Sequence, residues 1–217
     1  PGLPFAGRSD SKSRTNYGRG HFSAVFDPTP KHTAGFDIEY TERSTHMPTL
    51  SRTTLGQTQS DSRYRQHMGG NTLTATANYI WKIDTLGSTL KLLADYTRRE
   101  TDTRNDNESR ITAPGSVLDS VYRDNATSLY DIAAATLALE KHFSPRWSLK
   151  AGAKYTRNDM RNDALYEYRR GDAWLRNERQ SFTINYTENI AAAYAIASAK
   201  LSAVSFVAGV RGEYTHT

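Results

Sequence analysis

The chain has no cysteine. Disulfides, thiolate metal sites and cysteine nucleophiles are therefore excluded. It also lacks any long apolar run. Only 37% of its 217 residues are hydrophobic, the mean hydropathy is −0.70, and no stretch approaches the about 20 apolar residues of a spanning helix. That excludes a helical membrane protein but not a strand-built one, because alternating strands are invisible to a hydropathy window. A strong excess of one sign of charge is missing too. The 28 Lys and Arg are interleaved with 23 Asp and Glu, for a net charge of +5, whereas a nucleic-acid binder gathers its basic residues into a patch. No signal-peptide pattern is present. The sequence starts at Pro1 and stops at Thr217 within an alternating pattern, so we expect a piece of a longer chain.

What the sequence has is tyrosine, 13 in all, with much Thr, Ser and Asn, a composition that favours strands and turns. The dipeptide Tyr-Thr returns five times, at Tyr40, Tyr96, Tyr155, Tyr186 and Tyr214, and four of these recur roughly every 56 to 59 residues. A period of that size calls for a repeated structural role.

Period-two alternation supplies it. In "SAVSFVAGVRGEYTHT", Val204, Phe206, Ala208, Val210 and Tyr214 share one face, opposite a mostly polar one, as a strand with two environments requires. Phe36, Ile38 and Tyr40 alternate in the same way, as do Leu90 to Tyr96 and Leu149 to Tyr155, and weaker partners precede each. The alanines of "TENIAAAYAIASAK" suit a helix, yet Ile190, Ala192, Tyr194 and Ile196 keep the parity of Phe182, Ile184 and Tyr186, so one strand over about 181–200 is expected. The total is about eight strands in an all-β, antiparallel up-and-down meander.

Short turns "DPTPKH", "DTLGS" and "FSPRW" alternate with three polar segments, about 44–71, 99–127 and 158–180, which read as long loops. Turns then lie at one end of the meander and loops at the other. The five tyrosines fall at the loop-end rim, sharing a face with the apolar residues of their strands, and Trp81 and Trp147 fall near the turn end. Two aromatic belts around an apolar band are the pattern of a transmembrane barrel, with Tyr40, Tyr96, Tyr155, Tyr186, Tyr214, Trp81 and Trp147 as interface residues. Asp37, Glu39, Lys91, Asp95, Lys150 and Lys154 face the other way; they are costly in a dry core and cheap in a wet lumen. The alternative is a soluble or surface-attached β-domain binding glycan or protein, with the apolar face turned inward.

The wording of the segments adds a resemblance. "FDPTPKHTAGFDIEYTERST", "YIWKIDTLGSTLKLLADYTRRE", "LALEKHFSPRWSLKAGAKYTRND" and the final hairpin "INYTENIAAAYAIASAKLSAVSFVAGVRGEYT" resemble the outer-membrane β-barrel family of Bacteroidetes, relatives of the TonB-dependent receptors. The resemblance covers roughly residues 20–217 and implies a portion of a larger barrel, with residues 1–19 irregular or a preceding loop or strand and hairpins about 20–43, 72–98, 128–157 and 181–217. Such transporters close at about 22 strands around a plug. The implied place is the outer membrane of a Gram-negative bacterium. The implied function is uptake of a bulky nutrient through a polar lumen. The implied partners are outer-membrane lipid, the nutrient, and the TonB energy-coupling system through regions outside this chain.

No catalytic chemistry emerges. The six histidines lack metal-site spacing, and no nucleophile elbow, phosphate loop or dinucleotide fingerprint occurs. We expect no enzyme activity, no cofactor and no metal. One loop, "ALYEYRRGDAWLRNERQ", combines stacking surfaces at Tyr166, Tyr168 and Trp174 with donors at Arg169, Arg170 and Arg176; together they suit a sugar, an acidic glycan or a chelate.

Overall fold

The computed structural model describes residues 3–217; Pro1 and Gly2, the start of the 1–19 segment, lie outside the described residues. Ten strands form one antiparallel sheet: β1 (Phe5–Ser11), β2 (Arg14–Thr29), β3 (His32–Leu55), β4 (Thr58–Lys82), β5 (Thr89–Ala113), β6 (Ser116–Ser144), β7 (Trp147–Arg170), β8 (Ala173–Arg176), β9 (Phe182–Leu201) and β10 (Val204–His216). They occupy eight positions. β1 and β2 share the free edge of β3, and β8 and β9 share the far edge of β7. The sheet is an up-and-down meander, with the β1/β2 edge on one side and β10 on the other.

Both interruptions have local causes. The Lys12 amide donates to the Pro48 carbonyl at 3.2 Å, but Pro48 has no N–H to return, so the ladder loses a rung and β1 separates from β2. Beside β7, residues 177–181 leave the sheet. Ser181, 8% exposed, fills the gap: its hydroxyl accepts from the Tyr166 amide at 3.0 Å, while the Asn177 amide donates to the Tyr166 carbonyl at 2.9 Å.

The polar segments expected as loops are strand. Residues 44–55 continue β3 and 58–71 begin β4, joined at Gly56 with φ +61°; 99–113 and 116–127 do the same in β5 and β6, joined at Pro114-Gly115 with Gly115 at φ +76°. Of 158–180, most is β7 and β8. Polarity misled because a two-sided strand in water needs no apolar residue. Its side chains pair across the ladder instead: Arg52 with Asp61 at 2.5 Å, Arg65 with Glu108 at 2.7 Å, Arg110 with Asp119 at 2.7 Å, and the Thr15 and Thr45 hydroxyls at 3.0 Å.

There is no dry interior. Ala199 is the only buried apolar residue among the described residues, and Phe206, Val210 and Leu92 are 58%, 71% and 46% exposed. A soluble sandwich would cover this face with a second sheet. Here a single layer leaves it open.

The turn at the opposite end from these hairpins is tightly held. Asp84 accepts from the Leu86 and Ser88 amides at 3.0 and 3.1 Å and from Lys141 of β6 at 2.7 Å. Gly87, at φ +92°, completes the turn, and the fully buried Ser88 hydroxyl accepts from the His142 amide at 2.9 Å. The hydrogen bond from Lys141, then those from Ser88 and Leu86, hold the Asp84 carboxyl well below the usual carboxylate range. A depressed folded value means stability that is present above the unfolded value and lost as pH falls through the folded one. Asp84→Asn is therefore expected to lower the midpoint of thermal unfolding above about pH 4, and the gap from wild type should close progressively below that. Melting curves of both proteins across pH test this; a gap that does not depend on pH would refute it.

Candidate membrane wall and lumen face

Directly opposed residues of an antiparallel ladder share a face, so the register defines two continuous surfaces. One carries Phe36, Ile38 and Tyr40 of β3, aligned with Ala77, Ala75 and Leu73 of β4. It continues through Leu92, Ala94 and Tyr96 of β5 and Leu137, Ala135 and Ala133 of β6. Ala151, Ala153 and Tyr155 of β7 follow, opposite Ala195, Ala193 and Ala191 of β9, and Val210 and Tyr214 of β10 complete it. With Phe22 and Ala24 of β2, which oppose Ile38 and Phe36, an apolar band thus crosses all eight positions. Tyr40, Tyr96, Tyr155 and Tyr214 stand at its upper limit, and Tyr155 and Tyr214 both oppose Ala191. Trp81 and Trp147 stand on the same face at the turn end, and Trp81 stacks on His32 at 5.9 Å and 18°. Trp147 through Tyr155 is nine residues, within the about 9–11 that a tilted spanning strand needs.

Tyr186 does not join this belt. It pairs with Met160, five residues beyond the rung of Tyr155 and on the other face. The cause is the parity of β9: its alanines 191, 193, 195, 197 and 199 take the apolar face, while Ile190, Tyr194 and Ile196 turn away. Tyr194 lies over Gly152, where a Cβ would come within 2.6 Å of the ring. The large side chains of β9 are therefore not lipid residues; Tyr194 fills a gap left by glycine on the inner surface.

That inner surface carries Asp37, Glu39, Lys91, Asp95, Lys150 and Lys154 at membrane depth. Several are paired: Glu39 with Arg19 at 2.7 Å, Asp37 with His21 at 2.5 Å, Lys150 with Glu140 at 3.0 Å, and Asp95 accepts from Thr76 at 2.9 Å.

Above the tyrosine rim the polarity inverts. The outer face becomes ionic, with Arg123–Glu167, Arg157–Asp159 and Arg161–Asp163 at 2.6, 2.7 and 2.7 Å beside the cross-strand pairs of β3 to β6. Each exposed pair contributes little alone. The inner face there carries amides, hydroxyls and tyrosines. Tyr64 donates to Asn105 at 2.7 Å, Asn105 donates to Asp124 at 2.6 Å, and Tyr122 stacks on Tyr166 at 5.3 Å. Burial first, then nearby Asp124 and Tyr122, raise the Tyr64 hydroxyl above its ordinary value, and the same groups raise Tyr166.

The ligand loop expected at 166–176 is divided by this register. Tyr166 and Tyr168 lie on the inner face, opposite Asp124 and Tyr122. Arg169 and Trp174 oppose each other on the outer face, as do Glu167 and Arg176, and Arg123 sits 4.3 Å from the Trp174 ring. Arg170 closes the rung with Ala173 beside the turn, where Gly171 has φ +63°. Tyr166, Tyr168 and Arg170 thus share the inner face, while Arg169, Trp174 and Arg176 share the outer one, so the six do not converge on one surface. The sequence reading missed the inner cluster of Tyr64, Gln66, Asn105, Tyr122 and Asp124. The signal was a charge alternation: Arg63, Arg65 and His67 interleave with Tyr64 and Gln66, and Arg104, Asp106 and Glu108 with Asn105 and Asn107. No group of three or more metal-ligating side chains occurs among the described residues.

A single antiparallel layer, apolar on one side between two aromatic rows and hydrophilic on the other, is a transmembrane β-barrel wall. The chain belongs to the outer membrane protein beta-barrel family, which matches residues 81–217, and its place is the outer membrane. Comparison with curated proteins returns no match. Among solved structures, the siderophore receptor PiuA from Acinetobacter baumannii aligns at 8% identity and a TM-score of 0.26, over 97% of this chain and 46% of the receptor. The translocator domain of the autotransporter NalP from Neisseria meningitidis aligns at 10% identity and a TM-score of 0.15, over 100% of this chain and 88% of that domain. The chain thus spans less than half the length of the siderophore receptor.

The face assignment has a direct test. Leu137→Arg puts a charge at mid-band on the lipid side, at an expected cost of about 2–4 kcal/mol. Thr136→Arg, its neighbour on the inner face, is expected to be tolerated. Heat-modifiable gel mobility and outer-membrane fractionation read assembly; equal assembly of the two variants would overturn the assignment.

Proposed function

We propose that this chain forms part of the wall of an outer-membrane receptor and transporter of the TonB-dependent kind, as the Bacteroidetes relatives suggested by its sequence imply. It would take up a bulky nutrient through a polar lumen. The observation that carries the reading is the two-faced wall. One surface carries a continuous apolar band between the aromatic rows, and the other carries charged and hydroxyl side chains at the same depth. Such a wall separates lipid from an aqueous passage.

The paired strands beyond the rim support the receptor half of the proposal. β3 to β6 carry the ladder on from Tyr40 and Tyr96 to the tips at Gly56 and Gly115. Solutes arriving from outside meet this surface first. The inner tyrosines and amides there suit neutral, hydroxyl-rich portions of a ligand, through stacking and bidentate hydrogen bonds. Energy coupling would act through regions outside this chain.

The test is a growth-fitness comparison across ferric siderophores, corrinoids and glycans as limiting nutrients. It uses strains lacking this gene, lacking the energy-coupling protein, or lacking both. Transport of this kind predicts at least one nutrient on which both single deletions fail equally and the double deletion is no worse. A nutrient that depends on this gene but not on coupling would replace the proposal with passive permeation.

A further inference from the structure

One depression on the inner face has a different chemistry from its surroundings. It lies just above the tyrosine rim, between β3, β4 and β5, and encloses about 270 Å³. Arg43 and Arg99 flank it, Thr41, Thr72 and Thr101 line it with hydroxyls, and Glu100 borders it from the opposite, outer parity of β5. In the register Arg43, Gly70 and Thr101 form one rung, and Thr41, Thr72 and Arg99 form the next. The two guanidiniums therefore stand on opposite sides of β4 and on the same face. Gly70 leaves the floor bare; a Cβ there would meet the Glu100 carbonyl oxygen at 2.6 Å.

Neither arginine has an acidic partner. Among the described residues, no ion pair and no side-chain hydrogen bond involves Arg43 or Arg99, both of which are solvent-exposed. Their surroundings make this unusual. Arg98, the preceding residue, faces outward and lies 3.7 Å from Asp131. The nearby inner carboxylates Glu39 and Asp37 are already held by Arg19 and His21. Across the ladder, Arg43 meets Tyr17 and Gly70, and Arg99 meets Thr72 and Tyr130. Most charges in the extended hairpins are neutralised in pairs on the outer face; this site concentrates two unneutralised cations with hydroxyl donors on the inner one.

We propose that Arg43 and Arg99 form an anion subsite at the upper mouth of the lumen, taking a carboxylate or phosphate group of the incoming solute. Arginine presents planar paired donors to either group, and threonine hydroxyls supply additional ones. The proposal rests on the inner face being the lumen surface, and it narrows the nutrient to one bearing negative charge.

The experiment uses the full-length protein folded in detergent, with pyrophosphate and citrate as separate probes in calorimetric titrations. Wild type should bind at least one of them, and the difference between the two distinguishes phosphate from carboxylate. Arg43→Ala with Arg99→Ala should weaken that binding by about tenfold or more. Arg43→Lys with Arg99→Lys should retain part of it. Arg98→Ala with Arg157→Ala, on the outer face, should leave it unchanged. Heat-modifiable mobility confirms that each variant is folded. Absence of binding by wild type, equal binding by the inner double-alanine variant, or equal loss in the outer variant overturns the proposal. These readouts need no transport. Failure of coupled uptake with a clear loss on the inner variant would leave the subsite standing and remove the transporter reading; the reverse result would do the opposite.

Discussion

The structure depends on one thing, the inter-strand backbone hydrogen bond. No packed interior stands behind it: among the described residues, Ala199 alone of the apolar ones is buried. In hydrocarbon, an unpaired amide or carbonyl costs several kcal/mol, so a strand-built wall must satisfy every one of its groups from its neighbours. The meander does this with adjacent strands and short connections; beyond the rim, where a partner is missing, a side chain replaces it, as Ser181 does at Tyr166. The same constraint acts on the outer edges of β2 and β10. In lipid both must be paired, whether with each other or with further strands.

Once the ladder is in place, side-chain parity is free to serve two solvents. Alternation lets each strand present alanine, leucine or valine to lipid and lysine, aspartate or threonine to water at the same depth. Above Tyr40, Tyr96, Tyr155 and Tyr214 the lipid demand ends, and the outward positions change at once from apolar residues to ion pairs such as Arg157–Asp159. The inward positions carry charged, amide and hydroxyl side chains both below and above that row. The tyrosine row therefore marks a change in the outward side chains rather than the end of a strand.

This is also what the sequence did and did not disclose. The apolar halves of the strands were legible because parity and hydrophobicity coincide there, and the eight strand positions, the turn end and the tyrosine row followed. The polar halves were not. "TRRETDTRNDNESR" carries no apolar signal, so its strand reads as a loop, although charges at 98, 100, 102, 104, 106 and 108 all fall on one face. β9 failed differently: where alanine is the lipid-facing residue, hydrophobicity points to the wrong parity, and only pairing with β7 and β10 resolves it. The expected ligand residues 166–176 are divided between the two faces for a third reason. Neighbours in sequence on a strand are on opposite faces, so a cluster along the chain is not a cluster in space. Arg43 and Arg99 show the converse, lying far apart in sequence and on adjacent rungs in the sheet.

The uninterrupted run of strands from the membrane to the tips at Gly56 and Gly115 has a mechanical meaning. Loops of that length would have to be ordered by each arriving solute, and binding would weaken by the entropy lost. Hairpins already locked in register behave as stiff beams whose shape exists before anything arrives. A beam of this kind cannot fold over as a flap. The ladder is cut only beside these beams, at Pro48 opposite residues 12–13 and at the excursion 177–181, while β3 to β6 stay paired without a break from the turn end to the tips.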